Sequence, residues 1–332
     1  MIKLINLPPF DACCLNKTKR NILVIGAGGQ LGSALTQGLR DRYDDATILA
    51  TDIREPNGNV GDFELLDATD KKALHALLRK YRINHVYHLA AVLSAKGEQD
   101  PEMAWRLNMD SLIYILQASV EFRIEKVYWP SSIAVFGPMT PRENTPQHTV
   151  TDPTTIYGIT KIAGERLCAW YHARHGVDIR SLRYPGLIGY ASRAGGGTTD
   201  YAVDIFFSAV SEKKYTCFLK PDTYLPMMYM DDAIRATLEI MEAEKDQIRL
   251  RAGYNISAMS VCPRDIAEAI REHIPDFSIS FEPDYRQAIA ESWPKSVDDT
   301  EARRDWSWKP AYGLKEMTAT MLTHLRNLMK GS

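Results

Sequence analysis

The chain reads as an α/β protein, a doubly wound parallel sheet followed by a smaller C-terminal domain. Three observations predict it. A β-branched apolar run at residues 21–26 opens directly into glycines spaced Gly26, Gly29 and Gly32. Short apolar strands then alternate with helical patterns to about Leu182, the order that builds a parallel sheet covered on both faces. Beyond Tyr184 the segments become mixed, with Gly, Pro and Asp punctuation.

Taken in order, residues 21–26 have the unbroken apolar character of a strand buried on both faces. Leu31, Ala34, Leu35 and Leu39 then recur at helical spacing. In such a strand-turn-helix the first glycine permits the tight turn, the second lets backbone approach a pyrophosphate, and the third brings helix against strand. The N–H groups that open the helix suit an anion. Gly26, Gly29, Gln30, Leu31 and Gly32 are therefore candidate contacts for a dinucleotide. Residues 47–52 read as the second strand, and Asp52 lies about 20 residues past the glycines, where a carboxylate accepts from an adenosine ribose. That charge repels a 2′-phosphate and favours NAD over NADP. Ile53 and Arg54 border the same position, and Arg54 is read as solvated or stacked on adenine. Asp67, after the strand 62–66 that ends in Leu66, has two readings: a partner for the adenine amino group, or a cap for a helix over 69–79.

Residues 154–174 have helical periodicity, with Ile156, Ile162, Ala163, Leu167 and Trp170 forming much of an apolar stripe. Tyr157 and Lys161 share one face of it, four residues apart. An ammonium beside a phenol favours phenolate, which makes Tyr157 a base for a substrate hydroxyl while hydride leaves the same carbon. Residues 126–137 read as a strand that carries Ser131 and Ser132 into the same crevice, since ligands of open α/β sheets sit beyond the carboxyl ends of strands. Ser132 would hold the reacting oxygen against Tyr157.

The order of glycine loop, acidic residue, His88-Leu-Ala-Ala91, Asn108, Ser-Ser, Tyr-Gly-x-x-Lys and Arg183-Tyr-Pro-Gly186 resembles the extended short-chain dehydrogenase/reductase family from residue 20 on, a Rossmann-type fold. Within it, five stretches resemble the epimerase-like, metal-independent L-threonine 3-dehydrogenases. They are residues 89–97, 131–137, 195–206, 225–232 and 292–294. The resemblance implies NAD-dependent oxidation of the threonine β-hydroxyl to 2-amino-3-ketobutyrate, with Tyr157, Lys161 and Ser132 as catalytic residues. It implies a cofactor set that adds Leu66, Asp67, Leu89, Ala90, Ala91, Asn108, Tyr184, Leu187 and Ile188 to the residues above, with Lys161 on the nicotinamide ribose. It implies a substrate set of Ser94, Ser131, Ser132, Tyr157, Gly186, Thr198, Thr199, Asp200 and Trp293. Gly195, Gly196 and Gly197 would hinge a lid and Trp293 would close it, excluding water from a small zwitterion. The domains expected are 20–185 for NAD, completed by about 222–258, and 186–221 with 259–332 for substrate, after an extension at 1–19.

With 332 residues, 45% of them hydrophobic, and a net charge of −2, the chain has the balance of a soluble enzyme, with no sign of a nucleic-acid partner. No run approaches the ~18 apolar residues of a membrane helix. The cysteines number five and are scattered, which suits a reducing compartment better than a disulfide framework. His172 with His175, and His85 with His88, lack partners at metal-ligand spacing, so no metal is expected. Trp105, Ile113, Leu116 and Tyr171 exceed what one core face needs and suggest a homodimer. Residues 1–20 carry Lys3, Lys17, Lys19 and Arg20 against Asp11 alone. That start is compatible with a mitochondrial matrix protein, the cytoplasm being the alternative, and threonine catabolism would couple to a 2-amino-3-ketobutyrate CoA ligase. The rivals are a nucleotide-sugar 4-epimerase or dehydratase and a regulator that binds NAD without turnover. The first commonly carries asparagine where this chain has Pro185 and Gly186; the second can dispense with the Tyr and Lys retained here.

Overall fold

The structure, a computed structural model, describes residues 19–56, 61–191 and 195–330. The expected extension therefore lies outside the described residues except for Lys19. The chain opens on β1 (Asn21–Ile25), whose Ile22, Leu23 and Val24 are fully buried, as its unbroken apolar pattern requires. Next come α1 (Gln30–Arg42), β2 (Thr47–Asp52), β3 (Phe63–Leu65), α2 (Lys71–Lys80) and β4 (His85–His88). The cap of α2 is Asp70, which accepts from Lys72 N at 2.9 Å and Ala73 N at 3.0 Å. Asp67 accepts instead from Thr69 N at 2.8 Å in the turn before, so the capping role expected of Asp67 belongs to the residue three further on.

After β4 come the short α3 (Ser94–Gly97), α4 (Pro101–Trp105) and α5 (Ser111–Glu121). One wide turn, Arg106–Asp110, joins α4 to α5. Then follow β5 (Lys126–Tyr128), β6 (Ser131–Ser132) and α6 (Ile156–His175). The single strand expected over 126–137 is interrupted, because Pro130 has no N–H for the ladder. Ser131 and Ser132 pair with a different neighbour, β8 (Leu182–Tyr184), which follows β7 (Ile179–Arg180).

The central sheet runs β3-β2-β1-β4-β5-β7, all parallel. Its order reverses between β1 and β4, which opens a crevice beyond their carboxyl ends. The remainder comprises β9 (Gly186–Ile188), α7 (Tyr201–Ser211), β10 (Lys214–Cys217), β11 (Leu225–Tyr229), α8 (Met230–Glu242), β12 (Tyr254–Asn255), β13 (Met259–Val261), α9 (Pro263–Arg271), β14 (Ser278–Phe281), α10 (Arg286–Ser292), α11 (Thr300–Trp306) and α12 (Leu314–Lys330). Small sheets β12-β8-β6, β13-β11-β9 and β10-β14 carry the chain away from the central sheet.

The helix α6 departs from the expected apolar stripe. Its buried residues are Gly158, Thr160, Lys161, Gly164, Glu165 and Cys168, whereas Trp170 is 53% exposed. The inward face is polar and small because it carries the reacting groups and a buried ion pair. Of the surplus apolar residues, Leu116 is core and Trp105 is exposed.

Candidate active site

The turn after β1 is built by close approach. Gly26 has φ +86°, and a Cβ on it would stand 2.7 Å from Ala90 N. A Cβ on Gly32 would stand 2.0 Å from Gly26 O, so α1 touches the loop backbone there. Asp52 braces the same loop, accepting from Gly28 N at 2.9 Å and, through its other oxygen, from Ile53 N at 2.8 Å. Each carboxylate oxygen keeps acceptor capacity for a ribose hydroxyl. Helix α1 has no side-chain cap and no acid in its first turn, which leaves its first N–H groups for an anion. Gln30 Nε2 is buried without a partner in the same place. The loop thus fits a dinucleotide pyrophosphate.

Gly26, Gly29, Gln30, Leu31 and Gly32 line one end of a cleft. Leu89, Ala91, Tyr184, Gly186 and Leu187 continue it, and Ser94, Ser131, Ser132, Tyr157, Lys161, Thr198, Thr199, Asp200 and Trp293 complete its wall. Asp52, Ile53, Arg54, Leu66 and Asp67 lie beyond this wall, as do Ala90, which packs on Gly26, and the buried Ile188. Ile53 is 65% exposed, a side chain open to whatever lies on that edge. Asn108 is also absent from the wall. Its side chain accepts from Val92 N at 2.8 Å and donates to Thr160 Oγ1 at 3.1 Å, tying the segment after β4 to α6.

Helix α6 starts where Thr155 accepts from Gly158 N at 3.1 Å and where Glu98 accepts from Ile156 N at 2.8 Å. This fixes the first turn and Tyr157 in it. Burial pushes the Tyr157 hydroxyl up to about 12, and a hydrogen bond with Ser132 acts the other way. The expected lowering by Lys161 does not operate in this arrangement. The Lys161 ammonium lies 5.5 Å from the Tyr157 ring centroid and donates to Pro130 O at 2.6 Å, 4.5 Å from the Trp129 ring centroid. Burial brings Lys161 itself down to about 7, against the charges of Cys168 and Glu165.

Across the cleft, Ser94 Oγ and Thr198 Oγ1 are hydrogen-bonded at 3.1 Å. Asp200 turns to the glycine segment, accepting from Gly196 N at 2.8 Å and Gly197 N at 2.7 Å. Trp293 is 5% exposed, held where its carbonyl accepts from Arg142 Nε at 3.2 Å. Tyr184 faces the cleft with its ring only, since its hydroxyl accepts from Tyr128 OH at 2.6 Å. Ser131 likewise turns its hydroxyl away, to Glu165 Oε1 at 2.6 Å. Glu165 is the site residue that the sequence reading missed, and Arg183 entered it only as part of a motif. His88 is buried and brought down to about 3 by burial, with Nε2 at 2.8 Å from Ser111 Oγ. Among the described residues no group of three His, Cys, Asp or Glu could hold a metal ion, and no helix is long and apolar enough to cross a membrane.

The sequence profile of the NAD dependent epimerase/dehydratase family matches residues 22–256, from β1 through β12. The chain belongs to that family. NAD is the cofactor of the epimerase/dehydratase family, in keeping with the loop geometry. An uncharacterised epimerase/dehydratase of Staphylococcus haemolyticus is 46% identical over 306 residues, which cover 91% of this chain and 96% of that protein. Among solved structures, a partial-consensus L-threonine 3-dehydrogenase is 56% identical with a TM-score of 0.91, covering 92% of this chain and 99% of that one. The holo form of the epimerase-like L-threonine dehydrogenase of Cupriavidus necator is 55% identical with a TM-score of 0.90, over 92% and 99% of the two chains.

Proposed function

We propose that the chain is an NAD-dependent L-threonine 3-dehydrogenase that oxidises the β-hydroxyl of L-threonine to L-2-amino-3-ketobutyrate. The observation that carries this is one cleft lined by Trp293, by Tyr157 in a hydrogen bond with Ser132, and by the hydrogen-bonded hydroxyl pair Ser94 and Thr198. The similarity to L-threonine dehydrogenases over almost the whole chain supports it. NAD, when bound, accepts the hydride and adds a cationic ring to the pocket. Tyr157 takes the hydroxyl proton as the C–H bond breaks and the carbonyl forms, and Ser132 holds the reacting oxygen in hydrogen-bond reach. Lys161 would hold the nicotinamide ribose. Ser94, Thr198 and Thr199 offer hydroxyls to the substrate carboxylate and ammonium, while Trp293 excludes water. The glycines 195–197, tied by Asp200, serve as the lid's hinge.

In the same reading residues 20–185, completed by about 222–258, bind NAD, and 186–221 with 259–332 bind substrate. An apolar cluster that packs Tyr201 and Phe206 with Ile266, Ile270 and Met321 supports grouping 186–221 with 259–332. A homodimer would cover the exposed Trp105 and Trp170 on the packed helices α4 and α6. The product is a substrate for a CoA ligase of 2-amino-3-ketobutyrate. The Staphylococcus and Cupriavidus relatives favour the cytoplasm over the mitochondrial matrix. Formation of NADH from L-threonine and NAD tests the reading.

Cofactor choice follows from Asp52. NADP should be much the poorer cofactor, because its 2′-phosphate meets a carboxylate across a short, partly desolvated gap. Asp52→Ala should weaken NAD and narrow the bias in kcat/KM, with Arg54 free to meet the phosphate. A wild-type preference for NADP would assign the choice to Arg54.

A further inference from the structure

Glu165 is completely buried on the inner face of α6, one turn beyond Lys161. Its oxygens take three bonds: Ser131 Oγ at 2.6 Å and Arg183 Nε at 2.8 Å on Oε1, and Arg183 Nη2 at 2.8 Å on Oε2. Arg183 is also buried, and its Nη1 reaches Gln147 O at 3.1 Å and Asn255 Oδ1 at 3.2 Å. Gly253 seals the group, since a Cβ there would stand 2.7 Å from Glu165 Oε1 and 3.0 Å from Ser131 Cβ. A buried ion pair is weak evidence for stability, because desolvation offsets much of its attraction. Its location is the informative part. Ser131 precedes Ser132, Arg183 precedes Tyr184, and Lys161 lies one turn before Glu165, so all three segments that wall the cleft here meet at one carboxylate.

We propose that Glu165 is a positioning residue of the reacting centre, joining β6, α6 and β8 at one point and supplying the negative charge against which Lys161 keeps its ammonium. The charged and titratable groups around Lys161 are Tyr157, Glu165 and Cys168 on its own helix, His88 from β4, and Arg183 from β8 on the far side of Glu165. From the link between β5 and β6 it meets the Trp129 ring and the Pro130 carbonyl, neither of them titratable. Glu165 is thus the one full negative charge close to it among the described residues. Removing that charge, with Arg183 left in place, lowers the pH at which Lys161 loses its proton.

The test is NAD binding by quenching of intrinsic tryptophan fluorescence across neutral and alkaline pH. Wild type should lose affinity as Lys161 deprotonates, and Glu165→Gln should move that midpoint down by about one pH unit. An unmoved midpoint in the folded variant overturns the proposal. Where Glu165→Gln does not fold, Ser131→Ala decides, since it keeps every charge and removes only the tie to β6. It should lower kcat about tenfold, with the KM for L-threonine within about twofold and the pH midpoint unchanged. Wild-type kcat, or a loss confined to KM, overturns the proposal. The turnover arm rests on the threonine reading, whereas the NAD titration does not. A chain that fails to oxidise threonine yet shows the shift refutes that reading and leaves this one standing.

Discussion

Replacing Tyr157 by phenylalanine is expected to lower kcat by about 10²- to 10⁴-fold while NAD affinity stays within about twofold. The ring still packs at the start of α6, and no hydrogen bond of the glycine loop is disturbed. Only the proton acceptor is gone. Because burial holds the Tyr157 hydroxyl up near 12, wild-type oxidation should rise with pH as the phenol ionises. The variant, having no such group, should lose that rise. Cofactor titration and turnover measured together across pH check both points. Near wild-type turnover in Tyr157→Phe would remove Tyr157 as the base.

Gly32→Ala should have the other large effect, through the fold rather than the chemistry. The added methyl would meet the Gly26 carbonyl at 2.0 Å and Ala27 Cα at 2.9 Å, and both are backbone. Relief requires α1 to back away from β1, and overpacking of this kind costs about 1–3 kcal/mol or more. Withdrawal of α1 also takes its N-terminus from the pyrophosphate site, so NAD affinity should fall at least about tenfold with the melting temperature. Thermal unfolding with and without NAD is the measurement. An unchanged melting temperature with unchanged NAD affinity would mean that helix and loop do not touch as described.

Much of this was legible in the chain because it is local. The apolar run of β1, the glycine spacing, Asp52 and the Tyr157–Lys161 pair depend on neighbours within one supersecondary unit, whose geometry is restrictive. The parts that were not legible depend on distant partners. Glu165 reads as an ordinary surface acid on a helix, and its burial is tolerable only because Arg183 arrives from β8 with a matched pair of donors. Trp170 reads as core by spacing, but polar groups occupy the inner face and leave it outside. Asp67 and Asp70 are both plausible caps by residue type, and the backbone of the turn chooses between them. Asn108 falls in the expected motif order, yet the wide turn at Arg106–Asp110 directs it to Val92 and Thr160 behind the cleft.

The central claim is a dehydrogenase whose substrate is L-threonine, and the direct measurement is NADH absorbance on mixing the protein with NAD and L-threonine. UDP-glucose and no substrate serve as parallel arms. The account predicts steady NADH formation with L-threonine alone and none in the other two. No NADH from L-threonine, or turnover with the nucleotide sugar in its place, would contradict it.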